Sequence, residues 1–278
     1  MPQNELPALV DAATRAAFAA GREILIVYGT DFTSERKADR SPLTEADKRA
    51  HNVIIAALAP TGLPVLSEEG GTLAPEERQA WQRYWLVDPL DGTKEFIKHN
   101  GEFTVNIALM ERDAEPAGAL GAARPIAGVL YVPVKDTLYF AWEGGGAYRQ
   151  HAAATHATAS AYERASQAER LPVTTQRPAY IIVASRSHQS PETEAFIQRM
   201  EQEHGNVTLA NMGSALKICL VAEGAADVYP RYTPTMEWDT AAGHAIANEA
   251  GRQLIDITTD APMRYNKNEL VNNWFIVQ

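Results

Sequence analysis

The chain has 278 residues, is 45% hydrophobic and carries a formal net charge of −10, a composition that excludes a disordered polymer and argues against nonspecific binding to nucleic acid polymers or anionic membranes. Its length suits one large domain or two tightly joined halves. A single cysteine, Cys219, excludes an intramolecular disulfide; it sits in an apolar stretch, reads as an inert buried thiol, and fits a reducing compartment. Residues Met1 to Ala8 show no basic segment followed by an apolar core, and no apolar run reaches the roughly 18 residues needed to span a bilayer. The expected setting is therefore cytoplasmic, without an integral membrane segment.

Apolar residues at Leu6, Leu9, Val10, Ala13, Ala17, Ala20, Ile24 and Val27 step by three and four, which predicts a long amphipathic first helix. A second helix is predicted from Thr44, with Thr44 and Asp47 at capping-box spacing, through to Pro60. Short strands are predicted at Pro64–Leu66 and Tyr84–Val87, and alternation at Phe103, Val105, Ile107 and Leu109 predicts a half-buried strand. Ile126–Val132 and Thr137–Trp142 read as the next antiparallel pair, followed by a turn at Gly144–Gly146 rather than a phosphate loop, since no helix follows it. The Ala-, Thr- and His-rich stretch Gln150–Ser160 is expected to connect two halves, 1–150 and 151–278. In the second half the pattern predicts a strand at Tyr180–Ala184, helices at Glu192–Glu203 and Ser214–Glu223, a strand at Asp227–Tyr229, a helix at Asp239–Ala250, and strands near Leu254 and Trp274–Val277. Helices and strands mixed through both halves predict a layered α/β (α+β) fold with a cleft between two subdomains.

The segment Trp85-Leu-Val-Asp-Pro-Leu-Asp-Gly-Thr-Lys-Glu-Phe96 carries the sharpest chemical signal. An apolar strand delivers Asp88 and Asp91 into a predicted tight turn, where Pro89 fixes φ and Gly92 permits conformations that other residues avoid. That arrangement aims two carboxylates and the Leu90 carbonyl at one point, an oxygen set suited to Mg²⁺. A helix starting near Thr93 would leave the N–H groups of Gly92 and Thr93 free for phosphate oxygens. Asp-Pro and Asp-Gly pairs are also ordinary turn formers, Glu68 and Glu69 taken alone read as solvated acids, and Asp239 at a helix start could simply be a cap. Taken together, four acids at strand ends and helix starts are better explained by shared divalent metals than by four separate caps.

Ser67-Glu68-Glu69, Asp88-Pro-Leu-Asp-Gly-Thr93 and Trp238-Asp239-Thr-Ala-Ala-Gly243, in this order, resemble the signatures of the lithium-sensitive phosphatase superfamily that includes the inositol monophosphatases, and the likeness runs over nearly the whole chain. Within that superfamily, Lys37-Ala-Asp39-Arg-Ser-Pro-Leu-Thr44, Gly92-Thr-Lys-Glu-Phe-Ile97, Asn100–Ala108 and Tyr229–Trp238 resemble bacterial 3'(2'),5'-bisphosphate nucleotidases of the CysQ type. The resemblance implies a layered αβαβα sandwich of the inositol monophosphatase/fructose bisphosphatase type. Residues 1–150 would then carry most metal ligands, and 151–278 would complete the site with Asp239 and substrate contacts. It further implies a first Mg²⁺ held by Glu68, Asp88 and the Leu90 carbonyl and a second held by Asp88, Asp91 and Asp239, with a third ion left open. Asp39 and Thr93 would orient or deprotonate the attacking water, and His188, Ser214, Lys217 and Arg231 would contact the nucleotide and its second phosphate. Glu68, Leu90, Asp91, Gly92, Thr93 and Asp239 would also lie against the substrate. The implied reaction is hydrolysis of 3'-phosphoadenosine 5'-phosphate to AMP and phosphate, serving sulfate assimilation and nucleotide recycling. The rivals are inositol monophosphate or fructose 1,6-bisphosphate on the same metals, and, more distantly, a non-catalytic phospho-ligand module. A homodimer and peripheral association with the inner face of the inner membrane are left open.

Overall fold

Small residues on one stripe of the first helix allow a second helix to lie close against it, and the pair covers one face of a large sheet. The structure is a computed structural model that describes residues 5–30, 42–113, 122–173, 177–184 and 190–278. Helix α1 (Glu5–Tyr28) buries Ala13, Ala16, Ala17, Ala20 and Ile24, and α2 (Pro42–Leu58) buries Ala46, Ala50, Ile54 and Leu58. The second helix begins two residues earlier than predicted, because proline at a first helical position has its φ already set and no N–H to lose.

After β1 (Val65–Ser67) and the short α3 (Pro75–Gln79) come β2 (Arg83–Asp91), the single-turn α4 (Thr93–Ile97), β3 (Thr104–Arg112), β4 (Ala123–Val132), β5 (Thr137–Trp142) and β6 (Gly146–His151). Helix α5 (Ala161–Gln167) opens on a full Ser160/Glu163 capping box and leads to β7 (Glu169–Arg170). Strands β1 to β7 form one sheet in chain order; β1 and β2 are parallel and every later pair is antiparallel. The remaining elements are β8 (Tyr180–Ala184), α6 (Pro191–His204), β9 (Val207–Asn211), α7 (Leu216–Ala222), β10 (Tyr229–Arg231), α8 (Glu237–Glu249), β11 (Leu254–Asp256), β12 (Ala261–Pro262) and β13 (Phe275–Val277). They make a parallel β8/β9 pair and a four-stranded sheet ordered β10-β13-β11-β12.

Alternation along the central strands assigns each side chain a layer. Trp85, Val87, Val105, Ile107 and Leu109 join the core under α1 and α2, whereas Tyr84, Leu86, Ala108 and Met110 join the core shared with α7 and α8. Gly128 of β4 lies under the backbone of α8, where even a methyl group would collide with the Ala242 carbonyl, so this close helix-to-sheet approach requires glycine. Beyond α7 and α8 lie the smaller sheets, and α6 covers them through Phe196 and Met200 against Ile182 and Val228. The order is helix, sheet, helix, sheet, helix, the five-layer αβαβα arrangement expected. Among the described residues no helix is long and apolar enough to cross a membrane.

Strand β2 departs from the sequence expectation. Asp88 to Asp91 do not form a tight turn after the strand; they are its last residues, and the register with β3 shifts between Asp88 opposite Asn106 and Asp91 opposite Thr104. Two residues, Pro89 and Leu90, therefore face the single Val105, a bulge that tolerates proline inside a sheet.

One buried group makes folding stability depend on pH. His244 on α8 is 2% exposed, its Nδ1 lies 2.9 Å from the Tyr265 hydroxyl, and burial pushes its pKa down from 6.5 to about 3. Above pH 6.5 both states hold it neutral; between 6.5 and 3 only the unfolded chain takes the proton, so stability falls as pH falls and the loss is complete near pH 3. Going from pH 7 to pH 5 in metal-free buffer should remove about 2 kcal/mol through this residue. Urea unfolding of His244→Gln should show a pH slope smaller by that amount, and parallel slopes for variant and wild type would refute the assignment.

Candidate active site

The bulge in β2 decides the geometry. In an unbroken strand, residues three apart point to opposite faces; one extra residue returns Asp91 to the face that Asp88 occupies. Leu90, between them, turns the other way and anchors the bulge in the core beneath α1 and α2. The face on which both carboxylates emerge is the one covered by α8, whose third residue is Asp239. As a result Asp88, Asp91 and Asp239 each offer an oxygen within 4.8 Å of the others. The helix begins two residues before Asp239, so this residue is not the helix start predicted, although its carboxylate does cap: Oδ2 accepts from the Met236 N–H at 2.8 Å.

Each carboxylate is held by donors that leave part of it unpaired. Asp88, 1% exposed, accepts from the Leu90 N–H at 3.0 Å and shares a hydrogen bond with the carboxyl of Glu68. Asp91 accepts from the Ala215 N–H at 2.6 Å and from Asn106 Nδ2 at 3.3 Å. Glu68 follows β1, its N–H bonded to the Val87 carbonyl at 3.1 Å, at the rim of the cluster.

Asn106 is a site residue that the sequence reading quoted in a motif without giving it a role. The available signal was a polar side chain at a buried position of an otherwise apolar strand. Asp47, read only as part of a helix cap, is a second. It lies in the first turns of α2, and its carboxyl is pushed up to about 7 by burial, then by Glu69 and Glu68. Asp39 and His188 lie outside the described residues.

Burial is the first cause of raised carboxyl pKa values throughout the cluster, and neighbouring acids add to it. Asp88 is driven well above the usual carboxylate range by burial, then Asp91, Glu68 and Asp239. Asp239 is pushed up to about 7 by burial and Asp91. Burial also raises Asp91 against the pull of Lys217, and raises Glu68 with Asp91 and Glu69 adding to it. A crowded all-oxygen set of this kind fits a hard divalent cation, whose charge removes the repulsion and whose bonds use the spare oxygens.

Beside the acids opens a cleft of about 130 Å³ lined by Asp91, Gly92, Lys94, Ser214, Lys217 and Arg231 among others. Gly92 enters α4 at φ 100°, and a Cβ there would lie 3.2 Å from Phe103 Cα, so both conformation and space call for glycine. Thr93, the first residue of α4, is exposed beside this turn. Ser214 adopts φ 48°, in the left-handed region, within a loop pinned by Gly213 N–H to Glu102 Oε2 at 2.8 Å and by Ala215 to Asp91. Lys217 Nζ donates to the Ser214 carbonyl at 2.6 Å, and burial lowers its pKa to about 8 despite the opposing pull of Asp91. Arg231 is folded back, its Nε donating to the Thr233 carbonyl at 3.2 Å. Asp91, Asp239, Gly92, Ser214, Lys217 and Arg231 thus line one cleft, while Asp88 joins it through the carboxylate cluster, Glu68 through its hydrogen bond with Asp88, and Thr93 follows Gly92 in the chain.

The model of the inositol monophosphatase family matches residues 5–275. The chain belongs to the inositol monophosphatase family. Family members named 3'(2'),5'-bisphosphate nucleotidase CysQ, from Escherichia coli K12 and Salmonella typhimurium, are each 44% identical to it over 89% of this chain and 90% of their own length. A crystal structure of CysQ from Bacteroides thetaiotaomicron, described as a bacterial member of this family, superposes with TM-score 0.89 at 50% identity, covering 99% of this chain and 98% of that one. An inositol monophosphatase from Zymomonas mobilis, 21% identical with TM-score 0.72 over the whole of this chain and 94% of its own, shares the fold. The family is metal-dependent, and this chain gathers the acidic cluster Asp88, Asp91 and Asp239.

Metal and protons compete for this cluster. Cation binding needs ionised carboxylates, whereas Asp239 and Asp47 stay protonated up to about pH 7 in the metal-free protein. Adding MgCl₂ at pH 7 should therefore release protons, seen as a calorimetric enthalpy that changes with the ionisation enthalpy of the buffer, and affinity should fall about tenfold or more from pH 8 to pH 6. Buffer-independent enthalpies would contradict the cluster as the binding site.

Proposed function

We propose that this chain is a Mg²⁺-dependent 3'(2'),5'-bisphosphate nucleotidase that hydrolyses 3'-phosphoadenosine 5'-phosphate to AMP and phosphate, in the cytoplasm and in the service of sulfate assimilation and nucleotide recycling. The observation that carries the reading is one cleft lined both by the carboxylates Asp91 and Asp239 and by the cations Lys217 and Arg231. A ligand with two phosphates suits both sets. The relatives named as bisphosphate nucleotidases, alike over nearly the whole chain, support the same choice.

On this reading Glu68, Asp88, the Leu90 carbonyl, Asp91 and Asp239 hold two Mg²⁺ ions, with room for a third not assigned. Bound divalent ions supply charge neutralisation of the transferred phosphoryl group and lower the pKa of the attacking water. The N–H groups of Gly92 and Thr93 cradle phosphate oxygens, and the Thr93 hydroxyl orients the water. A carboxylate must take the proton: Asp39 is one candidate, and Asp47, with its carboxyl at about 7 beside Glu68 and Glu69, is poised for the same task. Lys217 and Arg231, joined by Ser214 and His188, hold the nucleotide and its second phosphate. The division into halves 1–150 and 151–278 places Asp239 and these cations on the second.

Phosphate release from 3'-phosphoadenosine 5'-phosphate with Mg²⁺, compared with inositol monophosphate and fructose 1,6-bisphosphate, tests the reading; fast, lithium-sensitive AMP formation is expected, and preference for either control overturns the nucleotide assignment. Asp88→Asn should lower turnover about 100-fold or more. Between Asp39→Asn and Asp47→Asn, the variant that flattens the acid limb of the rate profile identifies the proton acceptor. Lys217→Met should raise KM for the bisphosphate by about 10- to 100-fold while changing kcat much less.

A further inference from the structure

The segment 264–273 runs along the first turn of α8 and is bonded to it through Asn266, Lys267, Leu270 and Asn272. Glu237, the first residue of that helix, is 0% exposed. Its carboxylate spends its oxygens on that segment: it accepts from Asn266 N–H at 2.7 Å, Lys267 N–H at 3.1 Å and Lys267 Nζ at 2.6 Å. The Glu237 N–H donates to the Leu270 carbonyl at 2.9 Å. From the far side Arg78 of α3, 2% exposed, donates to Asn266 Oδ1 at 2.7 Å and to the carbonyls of Lys267 and Asn268. Asn266 takes φ 66°, a left-handed conformation that asparagine tolerates and that this double anchoring holds.

The same segment reaches Met236, whose N–H is capped by the Asp239 carboxylate. Asn272, 4% exposed, donates through Nδ2 to the Met236 carbonyl at 2.7 Å and approaches Thr240 Oγ1 at 3.0 Å, while its own N–H donates to the Thr235 carbonyl at 2.8 Å. Met236 in turn makes both backbone bonds that fix Asp239: its N–H donates to Asp239 Oδ2 at 2.8 Å and its carbonyl accepts from Asp239 N–H at 3.2 Å. The bonds from Lys267 and Asn266, themselves held by Arg78, thus fix Glu237, and those of Asn272 fix its chain neighbour Met236, which bonds the Asp239 carboxylate clustered with Asp88 and Asp91. The ion pair has one partner, Glu237, fully buried and the other, Lys267, partly exposed; a buried carboxylate held this way is a poor device for stability alone, since an apolar residue of similar volume would serve as well, but it defines geometry sharply.

We propose that segment 264–273 is a positioning strap for the cation site, in which the Glu237–Lys267 pair and Asn272 set the height and rotation of the first turn of α8 and so the aim of Asp239. Glu237 is a positioning residue and not a ligand, because its oxygens are already committed to the strap. Groups of this outer layer commonly change metal affinity by 10- to 100-fold when removed. The inference rests on the reading that Asp239 holds a divalent cation.

Calorimetric titration of MgCl₂ into metal-free wild type, Lys267→Met, Asn272→Ala and, as a control, Arg149→Met tests it. The control breaks the ion pair of Arg149 with Glu223, 2.7 Å apart at the other end of the large sheet, and should lower Tm without changing cation affinity. Lys267→Met and Asn272→Ala should each weaken Mg²⁺ binding by about 10- to 100-fold, with kcat recovering toward wild type at saturating Mg²⁺. If Lys267→Met does not fold, Asn272→Ala decides, since it leaves the ion pair and the backbone bond to Thr235 intact and removes only the Nδ2 bonds to the Met236 carbonyl, Thr240 Oγ1 and Thr235 Oγ1, the last at 3.1 Å. Folded strap variants that bind Mg²⁺ within twofold of wild type, or a control weakened equally, overturn the strap. Wild type that binds no divalent cation overturns instead the reading of the cluster as a metal site.

Discussion

Mutual repulsion among Asp88, Asp91 and Asp239 is the constraint around which the rest of this fold is arranged. Three carboxylates with oxygens inside 4.8 Å, one of them fully buried, would scatter if their backbones were free to move. They are held together by elements stabilised elsewhere. Asp88 and Asp91 belong to the second strand of the seven-stranded sheet, which is paired with β3 along its length and with β1 over Trp85–Val87 and is buried over most of its length. Asp239 belongs to a helix sandwiched between that sheet and the outer layers. Apolar burial in the two large cores supplies the free energy that keeps the acids in a sparsely compensated arrangement, which is how a preorganised cation site is maintained.

The five layers also explain why the site takes residues from so many places in the chain. A helix followed by a short connection and a strand returns antiparallel, so the start of α2 lies near the end of β1. That brings Asp47 to Glu68 and Glu69, and the β1/β2 pairing then sets Glu68 beside Asp88. On the other side, the loop from β9 to α7 drops onto Asp91 through the Ala215 N–H and carries Lys217 with it. In a chain with a net charge of −10, this loop and β10 concentrate cations where an anionic ligand would otherwise be repelled.

The sequence carried the long-period information well and the local exceptions poorly. Helices α1, α6 and α8 and strands β5 and β8 were legible because their apolar spacing runs for several turns or repeats in one pattern. The four acids stood out because adjacent or closely spaced carboxylates at the ends of apolar strands are hard to account for otherwise. The bulge in β2 was not legible. Asp-Pro-Leu-Asp-Gly has the composition of a turn, and only pairing with β3 shows that the strand continues through it. Asp47 was misread for a related reason: its local spacing fits a helix cap, and its proximity to Glu68 and Glu69 depends on a topological return that no local pattern records. Short elements such as α3, β7, β9 and β12 escaped detection because two to five residues carry too little periodicity.

The bulge also links fold and chemistry more tightly than a conventional loop would. A loop could present two carboxylates side by side, but it would owe their separation to its own conformational entropy. Here the separation is set by one additional residue in a ladder whose remaining rungs are intact from Arg83 to Asp88. Leu90, pointing into the core beneath α1 and α2, locks that residue in place, so sliding the bulge by one position would pull an apolar side chain out of the core and turn Asp91 away from Asp88. The register error and the loss of the cation site are then the same event, and the hydrophobic core beneath the first two helices becomes a determinant of the geometry of the acids on the opposite face.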